Sequence, residues 1–408
     1  MNGFIENWQN AAVTSLGFFW MAFWAFSLGY LISSLIQVLI PRSKMQATMG
    51  ESGPGSIALG TFFGFISSSC SFAALSTTRA LFQKGAGLAP AMSFLLASTN
   101  LVIELGIVIA IFLGWQFIVG EYAGGVLLIL FAWGFIRVTN PHKLITAARK
   151  RLSDSNDAAE STPDPVTTLT SVDGWRKIGQ TYFMEWQMVW KDVLIGFTLA
   201  GVISAFVPAG FFAALFVGSG QGAGDPGIVA VSLQALVAPV AAFFTFIGSM
   251  GNIPLAALLS DHGVSFAGIM AFIFSDLVVL PVLRINAGYY GWKLSLYILA
   301  MLLSGLVFTA IALHYGLAWL QLLPDHSSNV SIVERDFFQL NYTAWFNLLF
   351  LGCSVLLLGF ARRNPEGSGQ HEHQHGGKGR SVTDRALLII SLTALGWLVS
   401  GLGLSAVV

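Results

Sequence analysis

From Ala11 to Ile40 the chain carries no Asp, Glu, Lys or Arg, and runs nearly as apolar return again and again down to Ala386–Ala406. A stretch of about 20 apolar residues is what a helix needs to cross a bilayer. Hydrocarbon offers the backbone no partner, so such a stretch must pair its own N–H and C=O groups as a helix. Hydrophobic residues make up 55% of the sequence and charged residues 10%, against roughly 25% charged in a soluble domain, and the mean hydropathy is +0.72. The expectation is an all-α integral membrane protein, and 408 residues leave room for roughly eight to ten membrane segments. The formal net charge is +0, which gives no case for nucleic acid as a partner. Cys70 and Cys353 are the two cysteines and fall in separate apolar segments, so no disulfide framework is indicated. Met1–Asn10 holds no Lys or Arg, and a cleaved signal peptide is not expected.

Composition divides the chain into four regions. Residues 1–138 read as a first membrane repeat, with runs at Ala11–Ile40, Ile57–Phe82, Leu88–Leu113 and Gly120–Val138. Residues 139–190 turn to Lys, Arg, Asp, Ser, Thr and Pro, a solvated cytoplasmic linker that ends in an amphipathic helix, Trp175–Lys191, suited to the membrane interface. Glu185, Lys191 and Asp192 are expected to anchor that helix. Residues 191–317 form a second membrane repeat, and residues 318–408 add two transmembrane helices, Tyr342–Phe360 and Ala386–Ala406, joined by a loop with His371, His373 and His375.

Two stretches interrupt the apolar pattern. Ser67-Ser68-Ser69-Cys70-Ser71 splits the run from Ile57 to Phe82, and Gly248-Ser249-Met250-Gly251-Asn252-Ile253-Pro254 splits the run from Ile228 to Ser260. With Phe65-Ile66 placed over Phe246-Ile247 the two coincide, and Gly85 then meets Gly263, Met92 meets Met270, and Ser98-Thr99 meets Ser275-Asp276 after small gaps. Paired interruptions in two halves point to a transporter site near the bilayer midplane. Charge bears on topology. If each interrupted run enters and leaves on one side as a re-entrant hairpin, Arg42, Lys44, Lys84, the basic linker, Arg284, Lys293, Arg362, Arg363, Lys378, Arg380 and Arg385 share the cytoplasmic side. Arg335 alone lies opposite. That arrangement gives each half three crossings and so inverts the halves; a broken helix that crosses once is the competing form.

The candidate substrate-binding residues are Ser68, Ser69, Cys70, Ser71, Asn100, Met250, Asn252 and Asp276. Serine hydroxyls in hydrocarbon coordinate polar solute or pack helices closely. The Cys70 thiolate and the Met250 thioether are soft donors for a metal or metalloid, and a small buried hydrophobe is the plainer role of either. Asn100 and Glu104, four apart, share a helix face. Glu104 and Asp276 are ionisable groups inside apolar runs and are the candidates for coupling to a proton or cation. Arg79 is expected to snorkel to the surface. His371, His373 and His375 could hold a transition metal weakly. No nucleotide-binding loop, catalytic carboxylate pair with a His, or zinc motif is present, so neither enzymatic activity nor a cofactor is expected.

Ser67–Ser71, Gln83-Lys84-Gly85 and Phe94 through Ala97-Ser98-Thr99-Asn100-Leu101-Val102-Ile103-Glu104-Leu105-Gly106 resemble the first signature of the predicted permeases of the DUF318/UPF0718 group, which is related to the organoarsenical efflux permease. Gly251-Asn252-Ile253-Pro254-Leu255-Ala256-Ala257 and Ala271-Phe272-Ile273-Phe274-Ser275-Asp276-Leu277 resemble the second, and Glu185-Trp186 with Lys191-Asp192 also fits. The resemblance implies a bacterial inner-membrane permease that exports a metalloid or metal-linked solute. It departs from the arsenical permeases in one respect: they typically carry Pro-x-Cys-Ser-Cys, where this chain has Ser68 and a lone Cys70. The combined expectation is a secondary exporter of a small metal-, metalloid- or organoarsenical-type solute, bound where the two hairpin tips meet. A small-solute or anion channel and a non-transporting membrane partner subunit are the alternatives. The expected partners are a small-molecule or ion substrate and the lipid bilayer, with a homo-oligomer left open.

Overall fold

The apolar runs fold as helices, which pair every interior backbone group within the segment. The computed structural model describes residues 2–39, 53–67, 71–83, 85–152, 170–220, 227–243, 249–324, 338–362 and 382–405, and none of these lies in a strand. Among them Gly3–Ile32, Trp115–Thr139, Trp292–Trp319 and Tyr342–Arg362 are each long and apolar enough to cross a membrane, and counting each of two bent helix pairs as one span brings the number to 6. The chain divides into two compact units, Met1–Leu39 with Pro163–Phe206 and Asp336–Val408, and Ile40–Thr162 with Val207–Arg335.

The first unit is built from α1 (Asn2–Leu39), α8 (Val172–Phe206), α15 (Tyr342–Arg362) and α16 (Val382–Ser405). α8 joins the expected interfacial helix Trp175–Lys191 and the span after it in one uninterrupted helix. α1 packs along α8, and both pack against α15 and α16. Small residues let the backbones close in. A Cβ at Gly201 would run into Ser15 and the Ala11 carbonyl, and one at Gly179 would meet the Leu357 carbonyl at 2.7 Å. The Asn347 amide binds α15 to α1, its Nδ2 donating to the Trp20 carbonyl at 2.7 Å and its Oδ1 accepting from the Trp24 N–H at 3.0 Å. Trp186 packs edge-on against Tyr30 and Phe26, with ring centroids 5.1 and 6.3 Å away.

The second unit holds α2 (Pro54–Ser67), α3 (Ser71–Gln83), α4 (Leu88–Asn100), α5 (Ile103–Phe112), α6 (Trp115–Thr139) and the basic α7 (His142–Leu152). It continues with the short α9 (Ala209–Leu215), α10 (Ile228–Phe243), α11 (Ser249–Asp261), α12 (Phe266–Ile273), a 3₁₀ turn at Phe274–Leu277, α13 (Leu280–Tyr290) and α14 (Trp292–Trp319). The order α2 to α6 recurs as α10 to α14, and so does the packing. α2 and α3 pack on α4 as α10 and α11 pack on α12; α4 and α5 pack on α6 as α12 and α13 pack on α14. Between the repeats α5 packs on α11, its mirror partner α13 packs on α3, and α6 packs on α14.

The repeat is inverted. Gly85 and Gly263 form one matched pair of turns and Gly114 and Gly291 the other, with φ of 105°, 75°, 115° and 84°, a region open to glycine because it lacks a Cβ. The α4–α5 and α12–α13 pairs each bend by 41°, far short of a reversal, so the two turns of one repeat lie at opposite ends. α7 joins two turns that do not correspond. Arg149 donates to the Ala86 carbonyl at 3.0 Å and packs over the Phe82 ring, and Gln83 donates to the Leu152 carbonyl at 2.9 Å. Arg151 Nη1, two residues beyond Arg149 on the same helix, comes within 3.3 Å of a Cβ placed on Gly291. The first turn of one repeat thus shares an end with the second turn of the other, as inversion requires.

Candidate functional site

The described helices of the second unit leave four interruptions. α2 ends at Ser67 and α3 begins at Ser71; α10 ends at Phe243 and α11 begins at Ser249. The other two interruptions lie inside continuous apolar runs, Leu88–Leu113 and Phe266–Leu283. They fall at Leu101-Val102 and at the 3₁₀ turn. α3 and α4 are 13 residues each, about 20 Å at 1.5 Å per residue, and form an antiparallel pair about the Gly85 turn. The start of α3 is therefore level with the Leu101-Val102 break. By the same count the start of α11 is level with Asp276.

The side chains at these breaks are polar and buried. Asn100 ends α4, and Glu104 stands in the first turn of α5, 4% exposed, where the helix dipole favours a negative charge. The Tyr122 hydroxyl donates to the Val102 carbonyl at 3.2 Å, a carbonyl that also accepts from the Gly106 N–H at 3.3 Å, and so ties α6 to the first turn of α5. It can do so because residue 106 is glycine; a Cβ there would overlap the Tyr122 hydroxyl. Asp276, 1% exposed, lies in the 3₁₀ turn, and Asn252, 0% exposed, lies in the first turns of α11. α11 packs on both α5 and the 3₁₀ turn, which brings Asn252 to the two elements that carry Glu104 and Asp276. Both amide atoms of Asn252 are buried without a hydrogen-bond partner among the described residues. Ser98 and Thr99 donate to the carbonyls of their own helix at Leu95, and Ser275 does the same at Ala271, so these hydroxyls serve their helices.

Glu121 completes the cluster and was not among the candidates read from sequence. It lies on α6, 0% exposed, with neither carboxyl oxygen hydrogen-bonded among the described residues. Three glycines on the same helix set its surroundings. A Cβ at Gly120 would meet the Phe266 ring at 2.7 Å, one at Gly124 would overlap Phe274, and one at Gly125 would come within 2.7 Å of Leu101 and 3.3 Å of the Asn100 Cβ. α6 thus lies against both broken spans. Tyr122, next to Glu121 on α6, reaches the break that carries Glu104, and Phe274, two residues from Asp276, packs at Gly124, so the elements that carry the three carboxyls meet at α6.

The remaining candidates are distributed as follows. Ser71 and Met250 fall at the starts of α3 and α11. Ser68, Ser69, Cys70, His371, His373 and His375 lie outside the described residues. Arg79 is half-buried and stacks its guanidinium 4.7 Å above the Tyr289 ring of α13, a cation–π contact across the repeats. Glu185 is buried in the first unit. A groove of about 510 Å³ beside the cluster is apolar, lined by Ile57, Phe62, Phe65, Val126 and Trp133, and reaches the break only through Leu101.

A family model described as "Predicted permease" matches residues 7–315. The chain belongs to this permease family. The match covers both repeats and ends before α15 and α16. This permease is 34% identical over 332 residues to "Putative permease Rv2963" of Mycobacterium tuberculosis (strain ATCC 25618 / H37Rv), a match covering 78% of this chain and 80% of the relative. It is 28% identical over 123 residues to "UPF0718 protein YraQ" of Escherichia coli (strain K12), over 30% of this chain and 36% of that one. No solved structure matches the permease. Family and helices together make it a multi-pass membrane protein, and the bacterial source of both relatives is consistent with an inner-membrane location.

Proposed function

We propose that this permease is a secondary exporter of a small metal-, metalloid- or organoarsenical-type solute, and that the solute binds in the second unit where the four helix interruptions converge. The observation that carries this reading is the mirrored pair of broken spans, with Asn100 and Glu104 at one break and Asp276 at the other. Buried polar groups and loosened backbone are costly in a membrane unless they line a cavity or path. An inverted pair of them is the arrangement that alternating access uses. Ser68, Ser69, Cys70 and Ser71 come from the first interruption and Met250 and Asn252 from the second. The soft part of the substrate class rests on Cys70, Met250 and the resemblance to the organoarsenical efflux permease.

Glu104 and Asp276 take the coupling role. Each is 4% exposed or less, so these two carboxyls must be uncovered before either can exchange a proton with solvent. The end that carries α7 and the Gly85 and Gly291 turns is read as the cytoplasmic one, because Arg149, Lys150, Arg151 and Lys293 gather there. The test is flux in proteoliposomes across metal ions, metalloid oxyanions and organoarsenicals, with and without a pH gradient. Saturable, gradient-driven flux that falls at least tenfold in Glu104→Gln and Asp276→Asn is expected. Non-saturating, gradient-independent flux would favour a channel, and no flux with co-purification of a second membrane protein would favour a partner subunit.

A further inference from the structure

We propose that Glu121 and Asp276 together form a proton-binding site, a pair of buried carboxyls that takes up one shared proton and releases it again, so that α6 carries the coupling group on which both broken spans close. The inference deepens the transport reading above and rests on it for the use made of the proton.

Position comes first. At about 100° per residue around a helix, Gly124 and Gly125 stand roughly 60° and 40° to either side of Glu121. Gly124 admits Phe274 of the 3₁₀ turn and Gly125 admits Asn100 and Leu101 of the α4–α5 break, so Glu121 emerges between the two breaks. It lies six residues inside the start of α6, about 9 Å along the helix, well away from either end. Its carboxyl is fully buried and both oxygens lack a hydrogen-bond partner among the described residues.

The ionisable groups on the elements packed against α6 are few. α4 and α12 bring none, α5 brings Glu104, and α14 brings Lys293 and Tyr297 near its start and His314 and Tyr315 near its end. The 3₁₀ turn brings Asp276, and on α6 itself Tyr122 is adjacent and Arg137 lies in the last turn. Asp276 stands two residues from Phe274, whose ring packs at Gly124 on the side of α6 that carries Glu121, and burial together with that neighbouring charge acts on the Glu121 carboxyl. Two carboxylates brought together away from water repel, and one proton held between them removes the repulsion. Opening the site to either side wets the pair and frees the proton. Asn252 is the independent sign that something polar enters here: its amide is fully buried with neither atom partnered among the described residues, on the helix that packs against the 3₁₀ turn.

The experiment is infrared difference spectroscopy between acidic and alkaline buffer on the full-length protein in liposomes, read at the protonated-carboxyl C=O band. The wild type is expected to show a band that Glu121→Gln removes and Asp276→Asn shifts, because Glu121 stays buried when its carboxyl neighbour is gone. Asp173→Asn, exposed and remote in sequence on α8, is expected to keep it. In parallel, acceleration of solute flux by a pH gradient is expected to fall to about one-fold in Glu121→Gln. Should Glu121→Gln fail to fold, Glu121→Asp must shift the band's position. A band that survives Glu121→Gln, or keeps its position in Asp276→Asn or in Glu121→Asp, overturns the shared site. Gradient-driven flux in a protein whose band ignores Glu121 would sink this inference and leave the transport reading standing. A band behaving as expected in a protein that moves none of the solutes would do the reverse.

Discussion

Asn347 bonds the Trp20 carbonyl and the Trp24 N–H with one side chain, and both groups belong to consecutive turns of α1. Asn347→Leu keeps the volume and removes both bonds inside a buried contact. We expect it to destabilise the protein by about 1–2 kcal/mol, the net worth of two hydrogen bonds whose backbone partners can still pair with each other along α1, read as a lower thermal-unfolding midpoint in detergent; an unchanged midpoint would show that the amide is not a clamp. Tyr122 carries a smaller load of the same kind. Tyr122→Phe loses one neutral hydrogen bond to the Val102 carbonyl, worth about 1 kcal/mol, and should weaken solute flux more than stability, since the bond lies at the break. A midpoint shift with normal flux would contradict that. Glu104, Asn252 and Asp276 were legible in the sequence because each stands in a dense apolar run. Glu121 was not, because the span was expected to start at Gly120, which put the carboxyl at the membrane edge. The helix begins at Trp115 instead. The signal that could have found it is its setting between Gly120 and Gly124-Gly125, small residues that admit neighbours on both sides of a carboxylate.

Helix α6 acts as the seam between the repeats because its glycines let Phe266, Phe274 and Leu101 reach its backbone. Gly124→Ala should push Phe274 and the 3₁₀ turn away, at about 1–3 kcal/mol for overpacking, and should lower flux with it. Gly134→Ala, on the same helix with nothing within 4 Å of its added Cβ, should be neutral or stabilising by up to about 1 kcal/mol, since alanine is the better helix former. The pair is measured by thermal unfolding and flux side by side; equal effects would refute the packing argument. Element boundaries were legible where small polar residues accumulate, as at Ser67–Ser71. They were not where the breaking residues are themselves apolar: Leu101-Val102 and Val278-Val279 read as continuous helix, and only packing against α6 and α11 shows that the helices stop there. The reverse held in α8, where Lys191-Asp192 suggests a boundary and the helix runs through, because α1, α15 and α16 enclose it along its length.

Across the whole molecule, inversion follows from α7, which holds the Gly85 turn with Arg149 and meets the Gly291 turn with Arg151. Single cysteines at Lys143 and Lys293, in a background lacking Cys70 and Cys353, should both be labelled from the cytoplasmic side by an impermeant thiol reagent, and one at Gln116, beside the Gly114 turn, only from the opposite side. Labelling of residues 143 and 293 from different sides would break the inverted arrangement.

The sequence by itself determined that the protein is helical and membrane-embedded, that two interrupted stretches repeat, and which side gathers the positive charge. These are properties of local composition, since hydrocarbon imposes the same demand on every backbone segment wherever it sits. Which interruptions come level with one another, which helix runs between them, and that a carboxyl is buried on it at position 121 were decided by tertiary structure. Those facts depend on close approach between helices far apart in the chain, where the absence of a Cβ at Gly106, Gly124 and Gly125 matters more than the hydropathy of the residues around them.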